Sequence, residues 1–588
     1  MTHDFQMPSE SILAIDCGST TTQVTLFGLV GGEFRFIARG EAPSSVEPPW
    51  NDVMTSVKQA IQQLSEVTGW LFLDDRGQLI TPERQNSGVD TVVATTSASE
   101  PLRLVLAGIM RDVSLASARR AIGMSSAMVD GLVSVDGRDT AILSSDVGGQ
   151  LRLINELMPD AVVIVGGVDG GADKPVLQSV EAMALACSVL PEHSRPPLIY
   201  AGNASLRAQV AEIVGNQAEL RAVDNVRPSL EVENLWPLRA EIEDLYRLRK
   251  MERLPGLGTL AAWTPLQILP TATAFAHTIQ YLARLDGINV LGLDVGGATT
   301  TVAAVIDERA DLLIRSDLGL SYSVAGILDH LPVGLISRWL PFEMDPVEIS
   351  NALHNKAIHY RTLPQTRQEL LLEQAVVREV IRLSLAEMAT RWSRDGSLIY
   401  QGLVPTFHLI VGGGGVLSNA PNYGQAALIL LDAVQPVGVF SLALDKARMV
   451  APLGAVAAVN PLAASEVAAR DALLNLGTVV APIGSAREGE TALSFKIDYE
   501  DGRSLEVEVA YGSLEVIPLP AGQIANLELR PTRRFDVGLG VKGQAGKTDV
   551  QGGILGIIID ARGRPLPIAA DPEQQREKMQ RWLWDMGS

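Results

Sequence analysis

The sequence predicts an α/β protein of two related halves, with an all-β region at its C-terminal end. Three patterns predict it. The segments Ile12-Leu13-Ala14-Ile15-Asp16-Cys17-Gly18-Ser19-Thr20-Thr21-Thr22-Gln23-Val24 and Leu291-Gly292-Leu293-Asp294-Val295-Gly296-Gly297-Ala298-Thr299-Thr300-Thr301-Val302 share one design: an apolar strand ending in a carboxylate, a glycine turn rich in hydroxyls, and a second apolar strand. Between them, short β-branched runs alternate with helical apolar spacing, the mark of a mostly parallel sheet covered by helices. Beyond about Leu474 the helical spacing gives way to alternating strands and turn residues, expected as a separate sandwich or partly open barrel.

In chain order, Phe34–Gly40 reads as a third strand after the first hairpin, and 51–68 has helical spacing at Val53, Val57, Ile61 and Leu64. Strands are expected at 91–98, 140–144, 161–165 and 197–201, with helices at 151–157, 175–190 and 205–214. Their C-terminal ends carry Asp146-Val147-Gly148-Gly149, Gly166-Gly167-Val168-Asp169-Gly170-Gly171 and Gly202-Asn203, and strand ends on one edge of a parallel sheet are the usual place for a ligand. A charged helical connector, 231–253, closes at Pro255-Gly256. A helix over 271–284 then leads to the second hairpin. Further helices are expected at 365–392 and 449–459, the latter small-residued enough for close helix contact. Strands are expected at 493–497, 504–509, 514–518, 525–529 and 553–559. The tail 573–586 is amphipathic, with Met579, Trp582, Leu583 and Met586 on one face. The expected division is 10–140, 141–255, 256–470 and 474–588.

At 588 residues the chain is too long for one core. Its 47% hydrophobic and 20% charged residues suit packed domains, and a net charge of −20 repels nucleic-acid backbone. Only Cys17 and Cys187 occur, too few for a disulfide framework or a cysteine-rich metal site. A soluble cytoplasmic protein is expected, since the apolar stretch 426–444 is interrupted by Asp432, Gln435 and Pro436 and no transmembrane run of about 18 residues occurs.

The hairpins carry the chemistry. Backbone N–H groups and hydroxyls crowd such a tip and can hold a phosphate, while the Asp at the strand end is placed to hold water on a magnesium ion or to orient an attacking water. The candidate phosphate-binding residues are Gly18, Ser19, Thr20 and Thr21 in the first tip, and Gly296, Gly297, Ala298 and Thr299 in the second. The glycine run Gly412, Gly413, Gly414 and Gly415 is read as a nucleotide segment, with a tight turn as its plain alternative. Asp16 and Asp294 are the candidate catalytic and metal-holding residues. Gly166–Gly171 is either a turn or an effector or partner site. His408 is expected to be a satisfied core histidine, Cys17 a small buried hydrophobe, and the tail tryptophans to dock on the protein itself.

The paired hairpins and glycine run resemble the actin, Hsp70 and sugar-kinase superfamily. That resemblance implies two actin-like ATPase (ribonuclease H-like) domains with an inserted βαβ subdomain, besides the C-terminal all-β domain, and ATP or ADP with magnesium as cofactors. More narrowly, Asp16–Thr22, Ser97-Ala98 with Leu102-Arg103-Leu104, Gly166–Gly171, Tyr200–Asn203 and Asp294–Thr300, in that order, resemble the MutL/GlmL family, which is unrelated to mismatch-repair MutL. The resemblance implies an accessory, chaperone-like ATPase whose partner is a coenzyme B12-dependent mutase such as glutamate (methylaspartate) mutase, and leaves a homo-oligomer open. Gln23 stands where many relatives have Lys, and Thr301 where the family pattern has Asp, so slow hydrolysis is expected. A small-molecule kinase and an actin-like filament or scaffold, its tail a membrane anchor, are the alternatives.

Overall fold

The structure is a computed structural model that describes residues 10–134, 147–394 and 402–587. The strand expected at 140–144 and Asp146 lie outside the described residues. The chain divides into two compact units, one of residues 1–98, 259–313 and 317–588, the other of residues 99–258 and 314–316.

The first unit opens with strands β1 (Ser11–Cys17), β2 (Thr21–Val30) and β3 (Glu33–Pro43), helix α1 (Val53–Thr68) and strand β4 (Thr91–Thr96). Helix α1 starts where Asp52 accepts the N–H of Met54 and ends at Gly69 in a left-handed conformation, φ 73°. Its apolar stripe, Val53, Val57, Ile61 and Leu64, is buried.

The second unit holds strands β5 (Leu102–Gly108), β6 (Ala127–Ser134), β7 (Ala161–Val165), β8 (Leu198–Tyr200) and β9 (Leu220–Ala222), with helices α2 (Ala116–Ile122), α3 (Val147–Leu157), α4 (Lys174–Ser188), α5 (Arg207–Val214) and α6 (Trp236–Tyr246). Its sheet order is β6-β5-β7-β8-β9 with parallel pairing throughout. This compact unit begins at Ser99, ahead of the boundary expected at 140/141. The reason is pairing: β5 takes β7 as its neighbour, and strand partners far along the chain leave no local trace. The Gly166–Gly171 loop is pinned from beneath, because the buried Asn203 accepts the N–H of Gly170 and Asn225 donates to the carbonyl of Gly167.

The first unit resumes with β10 (Leu269–Pro270), α7 (Thr271–Asp286), β11 (Val290–Val295), β12 (Thr300–Ile306), β13 (Arg309–Arg315), α8 (Pro346–Ile358) and α9 (Arg367–Arg394). Then come β14 (Leu409–Gly413), α10 (Gly415–Ser418), α11 (Tyr423–Val434), β15 (Gly438–Leu444), α12 (Val450–Val459) and α13 (Pro461–Arg470). Strand β10 completes a sheet of order β3-β2-β1-β4-β10. The second sheet begins β13-β12-β11-β14-β15, so both sheets place a hairpin, then its parallel neighbours, in the same relative order. The duplication suspected from the hairpins is therefore a duplication of sheets. Helix α12 crosses α7 closely: a Cβ on Gly454 would lie 1.9 Å from the carbonyl oxygen of Ala274, so only glycine fits there.

The C-terminal strands are present as expected but do not stand apart. They are β16 (Leu474–Ala481), β17 (Thr491–Tyr499), β18 (Ser504–Ala510), β19 (Leu514–Ile517), β20 (Ile524–Pro531), β21 (Gly546–Gln551) and β22 (Ile557–Asp560), followed by α14 (Pro572–Asp585). Strands β16, β22 and β19 extend the second sheet to eight strands, and β18-β17-β20-β21 form a sheet of their own. One apolar cluster joins Phe495 and Leu527 of the small sheet to Val480 and Ile559 of the large one. Met579, Trp582 and Leu583 of α14 are buried in the main core, whereas Trp584 is exposed, so one tail tryptophan docks and the other does not. A buried ionic network ties the tail to the core. Asp432 on α11 accepts from Arg378 at 2.8 Å and from Arg562 at 2.7 Å, Asp560 accepts from Arg562 and Arg564, and the Arg562 guanidinium lies over the Trp582 ring.

Candidate active site

The β1–β2 and β11–β12 turns face each other. A Cβ on Gly297 would come within 2.7 Å of the Thr20 methyl and 3.2 Å of the Ser321 hydroxyl, so the two tips are in contact as they stand. Each tip is closed by one backbone bond, Gly18 N–H to Thr21 O at 3.1 Å and Gly296 N–H to Thr299 O at 2.9 Å. Among the described residues, the N–H groups of Ser19, Thr20, Gly297, Ala298 and Thr299 donate to no protein acceptor, and none of these residues is fully buried. Several carbonyls of the tips, by contrast, are engaged. Ser44 N–H donates to Thr20 O at 2.9 Å, Leu320 N–H to Gly296 O at 3.0 Å, Ser321 N–H to Gly297 O at 2.8 Å, and the Ser323 hydroxyl to Ala298 O at 2.7 Å. With these carbonyls bound and the five N–H groups left without a protein acceptor, the tips supply the donors that an anion-binding nest requires.

Asp16 and Asp294 are the penultimate residues of the two hairpins' first strands. The Asp16 Oδ1 accepts from Thr95 Oγ1 at 2.6 Å and from Thr271 Oγ1 at 2.7 Å, which fixes its carboxylate in one orientation. Burial nevertheless raises its pKa, against the pull of those hydroxyls and of Arg448. Asp294 is pushed up to about 7, by burial first and then by the charges of Asp445 and Asp16. Asp445, raised to about 6 by burial, follows β15 and accepts the N–H groups of Met449 at 2.7 Å and Val450 at 3.1 Å, which opens α12.

Asp445 and Arg448 are the residues that sequence reasoning missed. An apolar strand ending in Asp occurs at Leu444-Asp445 as it does at Asp16 and Asp294, but without the glycine and hydroxyl tip it is a single, weak signal. Arg448, whose backbone sits at φ 53° and whose guanidinium pairs with Glu41 at 2.5 Å, lies close enough that its charge pulls against the raised pKa of Asp16, Asp294 and Asp445. Gln23 helps hold the backbone of the segment that carries Arg448. Its Nε2 donates to Ala447 O at 3.0 Å and Arg448 O at 3.2 Å. Thr301 lies directly opposite Asp294 in the ladder and is buried.

The four glycines divide. Gly412 and Gly413 end β14, and Gly414, at φ 93°, turns into the short α10. Gly412 makes room for Leu430, a Cβ on Gly414 would strike Val295 O at 2.1 Å, and a Cβ on Gly413 would lie 3.3 Å from Asp294 Oδ1. Gly413 therefore belongs beside the carboxylates, Gly415 has open space before it, and the other two serve packing. Cys17 is buried and inert, its thiol pushed up by burial. His408 is exposed rather than core, its Nδ1 accepting the N–H of Asn289 at 3.1 Å, because it precedes β14 at the sheet's end.

The site's carboxylates and donor-rich tips fit a magnesium nucleotide. Among the described residues no three His, Cys, Asp or Glu side chains are gathered to hold a metal, so Asp16 and Asp294 would share the ion with phosphate oxygens and water, the arrangement magnesium commonly takes. Two sheets of one strand order, with hairpins at matching places, make a duplicated α/β architecture, here with an additional α/β unit and added C-terminal strands. The chain belongs to the MutL protein family, in the sense distinct from mismatch repair; the family's model matches residues 12–472. No curated protein matches its sequence. Among solved structures it is similar to nucleotide-free acetone carboxylase, at 12% identity over 85% of this chain and 81% of that one, TM-score 0.34. The nucleotide-free diol dehydratase-reactivating factor matches at 11% identity over 77% and 99%, TM-score 0.30. The activator of 2-hydroxyisocaproyl-CoA dehydratase from Clostridium difficile with bound ADPNP matches at 10% over 78% and 97%, TM-score 0.27. None of the described helices is long and apolar enough to cross a membrane.

Proposed function

We propose that this protein binds magnesium-ATP or ADP between the two hairpins and acts as an accessory, reactivating or assembly factor for a coenzyme B12-dependent mutase. The observation that carries the nucleotide reading is the pair of tips in contact, with five backbone N–H groups that have no protein acceptor. The N–H groups of Ser19, Thr20, Gly297, Ala298 and Thr299 bind phosphate oxygens. Asp16, locked by Thr95 and Thr271, orients water or metal-bound water, and Asp294, poised near neutrality, accepts a proton at its carboxylate when no cation is bound. Magnesium, when bound, neutralises phosphate charge and polarises the transferred group. Since each tip belongs to a different sheet, a phosphate held by both favours the closed arrangement, and hydrolysis or release removes that preference. The mutase as partner rests on family membership and the sequence resemblance.

The test takes the mutase encoded in the same organism, inactivates it with hydroxocobalamin, and adds this protein, ATP, magnesium and fresh adenosylcobalamin. Recovered activity that disappears with Asp294→Ala supports the reading. No recovery, together with no mutase binding with either nucleotide, removes the mutase as partner. A melting temperature unmoved by millimolar nucleotide removes the nucleotide reading itself, since ligand at about 100 times its dissociation constant adds about 2.7 kcal/mol.

A further inference from the structure

The two tips are joined a second time, behind the site. Ser44, which donates to Thr20 O in the first tip, begins the loop between β3 and α1, and its own carbonyl accepts from Arg361 Nη2 at 2.7 Å. From the same loop Glu47 Oε2 accepts the Tyr360 hydroxyl at 2.6 Å, and Trp50 lies under the Arg361 guanidinium at 5.6 Å. Tyr360 stacks on Tyr322, ring centroids 3.9 Å apart and planes 21° from parallel. Tyr322 stands between Ser321 and Ser323, the residues that hold Gly297 O and Ala298 O in the second tip. Burial, reinforced by hydrogen bonds to Tyr360 and Glu47, raises the Tyr322 phenol. The contacts thus form a ring that begins at Thr20, passes through Ser44, Arg361, Tyr360 and Tyr322, and returns to Gly297, which touches Thr20.

We propose that Glu47, Tyr360 and Arg361 are positioning residues that form a clasp holding both phosphate tips together, so that its opening sets the rate at which nucleotide leaves. This rests on the nucleotide reading above. None of the three is in either tip, so each acts through the bonds that Ser44 N–H, Ser321 N–H and the Ser323 hydroxyl make to the tips. The clasp is polar and peripheral: Arg361 is exposed, Glu47 and Tyr360 are half-buried, and no large apolar side chain has to leave the core for it to open. Such contacts break and re-form more readily than a packed core, which suits a gate.

The experiment compares the full-length parent with Tyr360→Phe, which keeps the ring stack and removes the bond to Glu47, and with Tyr360→Phe/Arg361→Ala. Release of a fluorescent ADP analogue in magnesium is followed by stopped flow. Backbone hydrogen exchange over 18–21 and 296–299 is measured without nucleotide. Loss of one or two ordinary hydrogen bonds corresponds to release about tenfold faster. Exchange at the two tips should quicken several-fold, with the apo melting temperature little changed and association nearly unaltered. Arg361→Lys, which keeps a donor for Ser44 O, should restore part of the slow release. Release and tip exchange both within twofold of the parent in the double variant would overturn the clasp. If the parent itself bound no analogue, the nucleotide reading would fall, and the exchange measurement would still decide whether the two tips are coupled.

Discussion

Replacing Asp294 by Asn should make the metal-free protein less sensitive to rising pH. The Asp294 carboxyl is held up to about 7 in the folded protein, against an ordinary value of 3.8. A raised carboxyl contributes stability that is fully present below its unfolded pKa and lost as pH climbs through the folded value. Between pH 5.5 and 7 the parent therefore loses about 1.36 kcal/mol per pH unit, roughly 2 kcal/mol, and beyond pH 7 the loss levels off. Asn carries no charge, so the variant escapes this loss, and because Asp294 repels Asp16 and Asp445 in turn, its removal also eases their own upward shifts, in the same direction. For a unit of roughly 400 residues, 2 kcal/mol corresponds to about 2 °C, so the variant should gain about 2 °C on the parent between pH 5.5 and pH 8 in EDTA. Differential scanning calorimetry reads this directly, and the comparison across pH removes any constant packing effect of the substitution. Magnesium with nucleotide should narrow the gap at pH 8, because a bound cation relieves the parent's buried charge. A variant whose offset from the parent is the same at both pH values would show that Asp294 is not held near neutrality, and would refute the electrostatic account of the site.

Gly297→Val should weaken nucleotide binding by at least about tenfold, since even the first added carbon meets Thr20 at 2.7 Å and holds the tips apart; calorimetric titration measures it. ATP turnover in the parent should lie below about 1 per second, and Thr301→Asp should leave binding nearly intact while raising turnover; phosphate release decides both. Asp432→Ala leaves Arg378 and Arg562 buried without their shared partner and should cost about 3–5 kcal/mol, seen as a lower denaturant midpoint and faster proteolysis of the tail helix. Loss of less than about 1 kcal/mol there would mean that the network is not what secures the C-terminal segment.

The features legible in the chain's own order of residues are local. Hairpin tips, helical stripes and most strand positions are written in neighbouring residues: Asp16 and Gly18 with the hydroxyls after them, the Val53–Leu64 stripe, the Met579–Leu583 face. These follow from periodicity and turn chemistry, which act over a few residues. Pairing, by contrast, is set by the folded arrangement. Strand β5 joins the sheet of β7, so the second unit starts at Ser99. Strands β16, β22 and β19 enlarge the second sheet, so the C-terminal β region is partly an extension of it. Asp445 and Arg448 reach Asp294 because β15 lies beside β14, and Glu47 meets Tyr360 across more than half the chain. His408 is apolar in its sequence neighbours yet exposed, since it sits where a strand begins. Each of these depends on which surfaces are buried together, a free energy shared among residues far apart in the chain and therefore absent from any local pattern.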